Sequence, residues 1–275
     1  MSLTFHESFQ LERENLAKVL PLFKNDPATT NVRVAEASGI GIGTDARKGK
    51  VQPTIEYAKH CGLLVESIEN HTRRLNLTEV GKVIFQHDAW LRKPTTQWAM
   101  HYQLSKQGSE AEAWSFLVHE FLPSNVEFVR ATLEDELKHK FGDRAKLRSI
   151  NPGALLNCYL DGGGLERIRL IREQGKRKFM RTQTYIPNPY ITAYILAELW
   201  EAKHPERSMV GEDALLESGH LATTMGCAEK EIEEALRQMS ALGVIKWMRE
   251  APPYQVARQW QDKIELLHKS YTEEG

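Results

Sequence analysis

The chain has 275 residues, a length that corresponds to one or two domains and suffices for a hydrophobic core. Apolar residues make up 41% of the chain and charged residues 27%, values near those of globular proteins, which excludes a collagen-like or disordered chain. Lys and Arg (36) nearly balance Asp and Glu (37), so the net charge of -1 excludes a basic field over the whole surface. Any affinity for DNA therefore has to be local.

The first third of the sequence predicts three helices followed by a β-hairpin. Apolar residues recur every three or four positions in its first segment, and the glycines within 39–43 mark a turn. We predict helices over 14–23, 32–38 and 53–61, with Gly62 as the cap of the last one, and strands over 63–68 and 73–77. This order is typical of a winged helix-turn-helix, which we assign to residues 1–92.

The middle of the chain predicts mostly helices. A helix is expected over 78–88, and helices over 95–104, 110–121 and 126–141 form an all-α region of residues 93–150. In residues 151–186, a helix over 154–160 precedes a hairpin with strands over 165–173 and 177–184 about the turn Gln174-Gly175-Lys176. Four aromatic side chains of this part are expected in the core: Trp90, Trp98, Trp114 and Phe116.

The last third repeats the order of the first. The predicted elements are helices over 190–204, 210–217, 220–225 and 228–242, strands over 244–249 and 254–258, and a final helix over 259–271. We assign residues 187–275 to a second winged helix with a terminal helix. The predicted fold class is mainly α, with winged helix-turn-helix modules at both ends, a helical middle and short β-hairpin wings.

Basic and polar side chains cluster around the third predicted helix, which is the element that enters the major groove in a winged helix. Arg and Lys can pair with phosphates, whereas Gln and Thr can reach base edges. The candidate DNA-binding residues of this module, including three at the predicted wing tip, are Arg47, Lys48, Lys50, Gln52, Thr54, Lys59, His71, Arg73 and Arg74. A solvated surface that contacts proteins is the alternative interpretation.

The predicted hairpin over 165–184 is strongly basic. Seven basic residues stand against Glu166 and Glu173, which gives a net charge of +5 in twenty residues. Such a ribbon can follow a phosphate backbone by releasing counterions. Its candidate DNA-binding residues are Arg167, Arg169, Arg172, Lys176, Arg177, Lys178 and Arg181. The alternative is an exposed edge hairpin that its charge keeps soluble and unpaired.

The corresponding helix of the C-terminal module is acidic. Residues 228–242 hold four glutamates against Lys230 and Arg237, so phosphate should repel this helix. We therefore interpret the C-terminal winged helix as a surface for homodimerisation or for docking a partner. A purely architectural role is equally open.

Enzyme motifs are absent from the sequence. His119-Glu120 could begin a His-Glu-x-x-His motif, but Pro123 occupies the position of the second metal ligand. The glycines within 39–43 lack the Lys-Ser/Thr of a phosphate-binding loop, and no Gly-x-Ser-x-Gly elbow occurs. We expect His6, His101 and His119 to be core or capping residues. The prediction is therefore a protein without catalytic residues, metal or cofactor.

The cysteines and the hydropathy pattern indicate the cellular compartment. Cys61, Cys158 and Cys227 stand far apart and outside any Cys-x-x-Cys pair, so neither a zinc knuckle nor a disulfide framework is indicated. No run reaches about 18 apolar residues, and the polar N-terminal segment does not resemble a signal peptide. These features favour a cytoplasmic protein without a membrane span.

Several short motifs resemble, in the same order, an uncharacterised bacterial family known only as a domain of unknown function, which opens with His-Glu-Thr-Phe. They are His6-Glu7-Ser8-Phe9 and the segments 77–81 (LTEVG), 88–91 (DAWL), 96–104 (TQWAMHYQL) and 113–116 (AWSF). Members of that family are typically encoded beside sulfur-transfer enzymes similar to phosphoadenosine phosphosulfate reductases, in DNA phosphorothioation and phage-defence clusters. The resemblance implies a DNA-related accessory or regulatory role and carries over no catalytic residue.

Two functions follow as hypotheses. The first is a protein of a bacterial DNA-modification or phage-defence system that binds double-stranded DNA through its N-terminal module and its basic hairpin. The second is an adaptor whose winged helices hold a sulfur-transfer or ATPase partner, which the near-zero net charge and the acidic C-terminal helix favour.

Overall fold

Helices dominate the computed structural model, which describes residues 3, 5–41, 49–142, 144, 151–182, 188–217 and 220–273. The expected mainly α character is confirmed, and the strands form small antiparallel sheets. Within the described ranges, no helix combines the length and the apolar character that a membrane crossing requires.

The N-terminal part follows the predicted order of three helices and a hairpin. Its elements are α1 (Arg13–Asn25), α2 (Asn31–Ser38), α3 (Val51–His60), β1 (Leu64–Glu69) and β2 (Thr72–Leu77). Asn70 and His71 both have positive φ and make the tight turn between β1 and β2. The carbonyl of Pro27, between α1 and α2, accepts the Leu75 amide at 2.8 Å and so adds a strand-like contact to β2.

The middle of the chain is built around one buried helix. The elements are α4 (Glu79–His87), α5 (Pro94–Ser105), α6 (Glu112–Phe116), a π-helical turn (Leu117–Phe121), α7 (Leu122–Ser124) and α8 (Arg130–Phe141). Every residue of α5 from Thr95 to Ser105 is buried. α4 approaches the backbone directly before β1 so closely that a Cβ on Gly81 would lie 2.1 Å from the Leu63 carbonyl oxygen. Only glycine fits at this contact.

The remaining elements are short strands and helices around a long helix. They are β3 (Glu127–Val129), which precedes α8, then α9 (Pro152–Leu160), β4 (Ile171–Glu173), β5 (Lys178–Arg181), α10 (Pro189–Lys203), β6 (Met209–Gly211), α11 (Leu221–Met225), α12 (Glu229–Ala241), β7 (Ile245–Met248), β8 (Gln255–Arg258) and α13 (Lys263–Thr272). β1 pairs with β2 alone, whereas the other strands form the sheets β3-β5-β4 and β6-β8-β7.

One predicted helix is wrong at its N-terminal end, and another is wrong over its whole length. Residues 127–129 form β3, with Phe128 opposite Phe179 of β5, before the helix α8 begins. The helix predicted over 210–217 is instead β6, with Val210 opposite Val256 of β8, followed by a single 3-10 turn. In both places a distant hairpin supplies backbone partners, and this pairing overrides the local helical pattern.

The buried apolar residues form one continuous core that extends from Leu3 to Tyr271. α13 packs against both α10 and α4 and so connects the two ends of the chain. Trp98, Trp114 and Phe116 are buried as predicted. The prediction for Trp90 is wrong, because α4 ends at His87 and the left-handed backbone of Leu91 (φ 56°) turns Leu91 inward while Trp90 stays 55% exposed.

Candidate nucleic-acid interface

The predicted basic hairpin is present, and its strands, β4 and β5, are shorter than predicted. After a 3-10 turn (Glu166–Ile168), β4 and β5 pair antiparallel around a turn in which Gly175 has φ +83°. The Gln174 amide donates to the Lys178 carbonyl at 2.8 Å and closes this turn. β3 pairs with the other edge of β5, so β5 is the central strand of a three-stranded sheet. The basic hairpin is therefore supported on both sides of its second strand.

The two faces of this sheet differ in character, because successive side chains of a strand point to opposite faces. Phe179 lies on one face with Phe128 (ring centroids 5.7 Å apart), and Phe128 packs on Phe121 at 5.0 Å. Arg172 and Lys178 belong to the opposite face and are both exposed. The aromatic face attaches the sheet to the core, and the basic face is directed at solvent.

Among the residues that the structure describes, the cations of the basic hairpin have no acidic partner. None of the seven forms an ion pair with a carboxylate in the described ranges, and six are exposed while Arg181 is half-buried. The Arg172 guanidinium donates to the Met180 sulfur at 3.2 Å, a weak contact that leaves its charge uncompensated. Such cations can pair with phosphates without first breaking a salt bridge.

Arg13 of α1 anchors the start of the basic segment. Its guanidinium donates to the carbonyls of Gly162 (2.5 Å), Gly164 and Leu91 (2.9 Å), and it contacts the Glu166 carboxylate at 3.1 Å. Arg13, Gly164 and Leu91 are buried, so the bonds to these two carbonyls lie in a region with little water. One side chain thus fixes the segment 162–166 against α1 and against the loop after α4.

The N-terminal basic candidates are, in contrast, paired with carboxylates. Lys50 lies 2.7 Å from Glu12, and Lys59 lies 2.8 Å from Glu66. Arg73 also reaches Glu66, at 3.0 Å. The hydrogen bond from Lys59, together with Arg73, lowers the pKa of the Glu66 carboxyl. Among the described residues of this module, Lys50, Lys59 and Arg73 are therefore compensated by carboxylates.

The other N-terminal candidates differ in their partners and in their exposure. The Gln52 amide donates to Glu56 at 2.7 Å and accepts from Asn31 at 2.9 Å, and Arg74 pairs with Glu69 at 2.9 Å. Thr54 is buried and donates to the Lys50 carbonyl, so it is not positioned to read a base edge. His71 is exposed at the hairpin turn. Arg47 and Lys48 lie outside the described residues.

The loop after α4 adds residues that the sequence interpretation missed. The exposed indole of Trp90 has the Arg92 guanidinium over its ring, with 5.7 Å from the guanidinium carbon to the ring centroid. Arg92 is exposed and Lys93 half-buried, which places two more cations on this loop. The Arg92-Lys93 pair directly before Pro94 was a visible signal, but helical spacing assigned the neighbouring tryptophan to the core.

The histidines considered as ligands are buried structural residues. His101 donates from Nε2 to the Thr224 carbonyl at 2.9 Å, and its Nδ1 lies 3.0 Å from the Tyr159 hydroxyl. Burial lowers the pKa of His6, His101 and His119 to about 4 in each case. Within the described part of the chain, no three His, Cys, Asp or Glu side chains are arranged to hold a metal ion. The absence of an enzyme site stays a prediction.

Comparisons with known proteins identify both a family and a fold. A sequence profile of the family described as "Protein of unknown function (DUF4007)" matches residues 4–157. The chain is similar to the magnesium ion-bound crystal structure of SspB, with a TM-score of 0.81 and 14% identity over 99% of this chain and 87% of that chain. A second crystal structure of SspB gives a TM-score of 0.78 and 16% identity over the same shares. Such identities indicate a common fold alone. No curated protein sequence matches the chain.

Proposed function

The chain belongs to the DUF4007 family, and we propose that it is a DNA-binding accessory or regulatory protein of a bacterial DNA phosphorothioation or phage-defence system, acting in the cytoplasm. The observation that carries the proposal is the basic hairpin, whose seven cations have no acidic partner among the described residues. The DNA-modification context is supported by the gene neighbourhoods typical of the family that the N-terminal motifs resemble. Double-stranded DNA is the proposed ligand.

We infer a winged helix at each end of the chain. At the N-terminus, α1 to α3 precede the hairpin β1-β2, and Pro27 contacts the second strand. At the C-terminus, α10 to α12 precede the hairpin β7-β8, and β6 pairs with its second strand. The same place in both modules, between the first and second helix, thus supplies a third strand or strand-like contact. This correspondence supports the winged-helix assignment.

The basic hairpin, rather than the N-terminal module, supplies most of the proposed phosphate affinity. A cation that already pairs with a carboxylate must give up that interaction before it binds phosphate. It therefore contributes correspondingly little to the free energy of DNA binding. This applies to Lys50 and Lys59 but not to Arg172 or Lys178. The N-terminal module would then contribute orientation on the duplex, through exposed groups such as His71.

A pair of matched double variants tests this proposal. We expect Arg172→Gln with Lys178→Gln to weaken duplex binding about tenfold and to reduce the slope of log affinity against log salt by about 2, since each lost phosphate contact removes about 0.9 from that slope. Fluorescence anisotropy with a labelled duplex, at salt concentrations from about 50 to 200 mM, measures both quantities.

The control removes the same charge from paired side chains. Lys50→Gln with Lys59→Gln should change the affinity less than about threefold, because the lost cations are compensated by Glu12 and Glu66. Equal losses in the two double variants would show that the hairpin is not the principal phosphate contact. Unchanged binding in both would refute the proposed interface.

The acidic C-terminal module is proposed to dock a protein, either a sulfur-transfer enzyme or a second copy of this chain. Exposed Glu229 and Glu234 on α12 disfavour contact with phosphate. We expect a tagged chain to retain such a partner after nuclease treatment, because the contact does not pass through DNA. Co-purification from the native host checks this. Loss of every protein partner on nuclease treatment would contradict the docking role and leave the DNA-binding proposal intact.

A further inference from the structure

Trp90 is the most exposed of the six tryptophans, since Trp247 and Trp260 are half-buried and the other three are buried. It exposes 55% of its surface, whereas Trp98, Trp114 and Trp200 each expose 1% or less. Among the described residues, its one aromatic or cationic ring contact is with Arg92. An indole of this size normally contributes to a core or an interface. More than half of its surface is instead open to a binding partner, while Arg92 lies over one face of the ring.

The loop that carries Trp90 is fixed rather than loose. The Asp88 carboxylate accepts the Lys93 amide at 2.7 Å and the Thr96 hydroxyl at 2.8 Å, and the Asp88 carbonyl accepts the Leu91 amide at 2.9 Å. Leu91 is fully buried. The backbone on both sides of Trp90 is therefore held in place, and ordering this loop on binding costs little entropy.

Arg13 places this loop beside the start of the basic segment. The same guanidinium binds the Leu91 carbonyl at 2.9 Å and the Glu166 carboxylate at 3.1 Å. In addition, the Arg167 amide donates to the Gln97 side chain of α5 at 3.0 Å. Arg92 on one loop and Arg167 on the other are both exposed. Arg92 therefore lies over the Trp90 ring, and Arg13 joins the segment before Arg167 to the same loop.

We propose that Trp90 is a stacking platform for an unpaired nucleobase, and that the preferred ligand is DNA with a short single-stranded or locally unpaired segment beside a duplex. This inference rests on the proposed DNA-binding function and adds a class of ligand to it. Every base offers a π-face, so stacking on the indole needs no particular sequence. Arg92 and Arg167 would bind the phosphates that flank the stacked base, while the basic hairpin holds the duplex.

The pairing state of the DNA follows from the geometry of stacking. Inside a continuous duplex, both faces of each base are covered by neighbouring bases, so stacking on an indole costs least for a base that has already left the helix. Arg92 over the Trp90 ring favours a polyanion over an apolar peptide, since an apolar partner would leave Arg92 desolvated and unpaired.

The test compares an intact duplex with the same duplex that contains a short single-stranded gap with one 2-aminopurine. We expect the wild-type chain to bind the gapped DNA about tenfold more tightly than the intact DNA, and to quench the 2-aminopurine fluorescence by stacking. Trp90→Ala should abolish both the preference and the quenching while keeping the affinity for intact duplex. Trp90→Phe should retain most of the preference, because it retains a ring.

Leu242→Ala, which truncates another exposed apolar side chain, is the control and should behave as wild type. A Trp90→Ala variant that still prefers the gapped DNA, or that weakens binding to both DNAs equally, would overturn the inference. If the wild-type chain binds both DNAs equally, the proposed function stands and the Trp90 platform fails. If it binds neither DNA, both proposals fail.

Discussion

Acidification from about pH 6.5 to about pH 4 is expected to lower the free energy of unfolding by several kcal/mol. The cause is a set of four buried histidines that stay neutral in the folded protein: His6, His101, His119 and His220. Burial lowers the pKa of each imidazole to about 4, from a value of 6.5 in the unfolded chain.

The direction of this effect follows from proton uptake. Between about pH 6.5 and pH 4 the unfolded chain binds protons at these imidazoles and the folded chain does not, so stability increases with pH. The contribution is fully present above the unfolded pKa and is lost as the pH falls toward the folded pKa. A pKa difference of this size is worth up to about 3 kcal/mol for each histidine.

Urea unfolding at several pH values between about 7 and 5 measures the slope of stability against pH, which reports the number of protons bound on unfolding. His220→Asn is the informative variant, because Nδ1 of His220 accepts the Leu221 amide at 2.9 Å and an asparagine oxygen can replace that cap. It should reduce the slope by up to one proton. Leu242→Ala, which changes an exposed side chain without a titratable group, should leave the slope unchanged. A stability that is flat over this range would contradict the prediction.

Local patterns predicted most of the helices and all three hairpins. The periodicity of Leu16, Val19, Leu20 and Phe23 gave α1, since one buried face is enough to define a helix. β3 and β6 could not be predicted in this way, because each is only three residues long and exists through pairing with a distant hairpin. Trp90 was assigned wrongly because its spacing continued a helix that ends at His87.

The sequence predicts where basic residues cluster in the candidate interface, but not which of them pair with carboxylates. The +5 hairpin is visible in a window of twenty residues. Whether a cation is free depends on partners far away in the sequence: Lys50 meets Glu12 across 38 residues, whereas Arg172 meets no described carboxylate. In the sequence, the N-terminal candidates and the basic hairpin both look basic. In the structure they differ, because Lys50 has a carboxylate partner and Arg172 has none among the described residues. Within the described residues, the near-zero net charge thus includes N-terminal cations that pair with carboxylates and hairpin cations that do not.

Replacing Arg13 by alanine is expected to destabilise the protein by about 3 kcal/mol, the order seen when one partner of a buried, hydrogen-bonded charge is removed. The substitution leaves the carbonyls of Gly162, Gly164 and Leu91 without their donor, and it leaves the Glu166 carboxylate, which is only 28% exposed, without its cation. Each buried acceptor without a partner costs about 1 kcal/mol or more.

Two further variants separate charge from geometry at this anchor. Arg13→Lys keeps the charge, but its three donors share one nitrogen and cannot reproduce the spread of the guanidinium over four acceptors, so it should still lose about 2 kcal/mol. Glu166→Gln keeps an acceptor for the guanidinium, and because Arg13 retains three carbonyl partners it should lose less than about 1 kcal/mol. Urea unfolding at neutral pH measures all three. An Arg13→Lys variant as stable as wild type would show that charge alone holds the start of the basic hairpin. A loss of unfolding free energy that decreases from Arg13→Ala through Arg13→Lys to Glu166→Gln would show that the planar guanidinium joins α1, the loop that carries Trp90 and the basic hairpin into one unit.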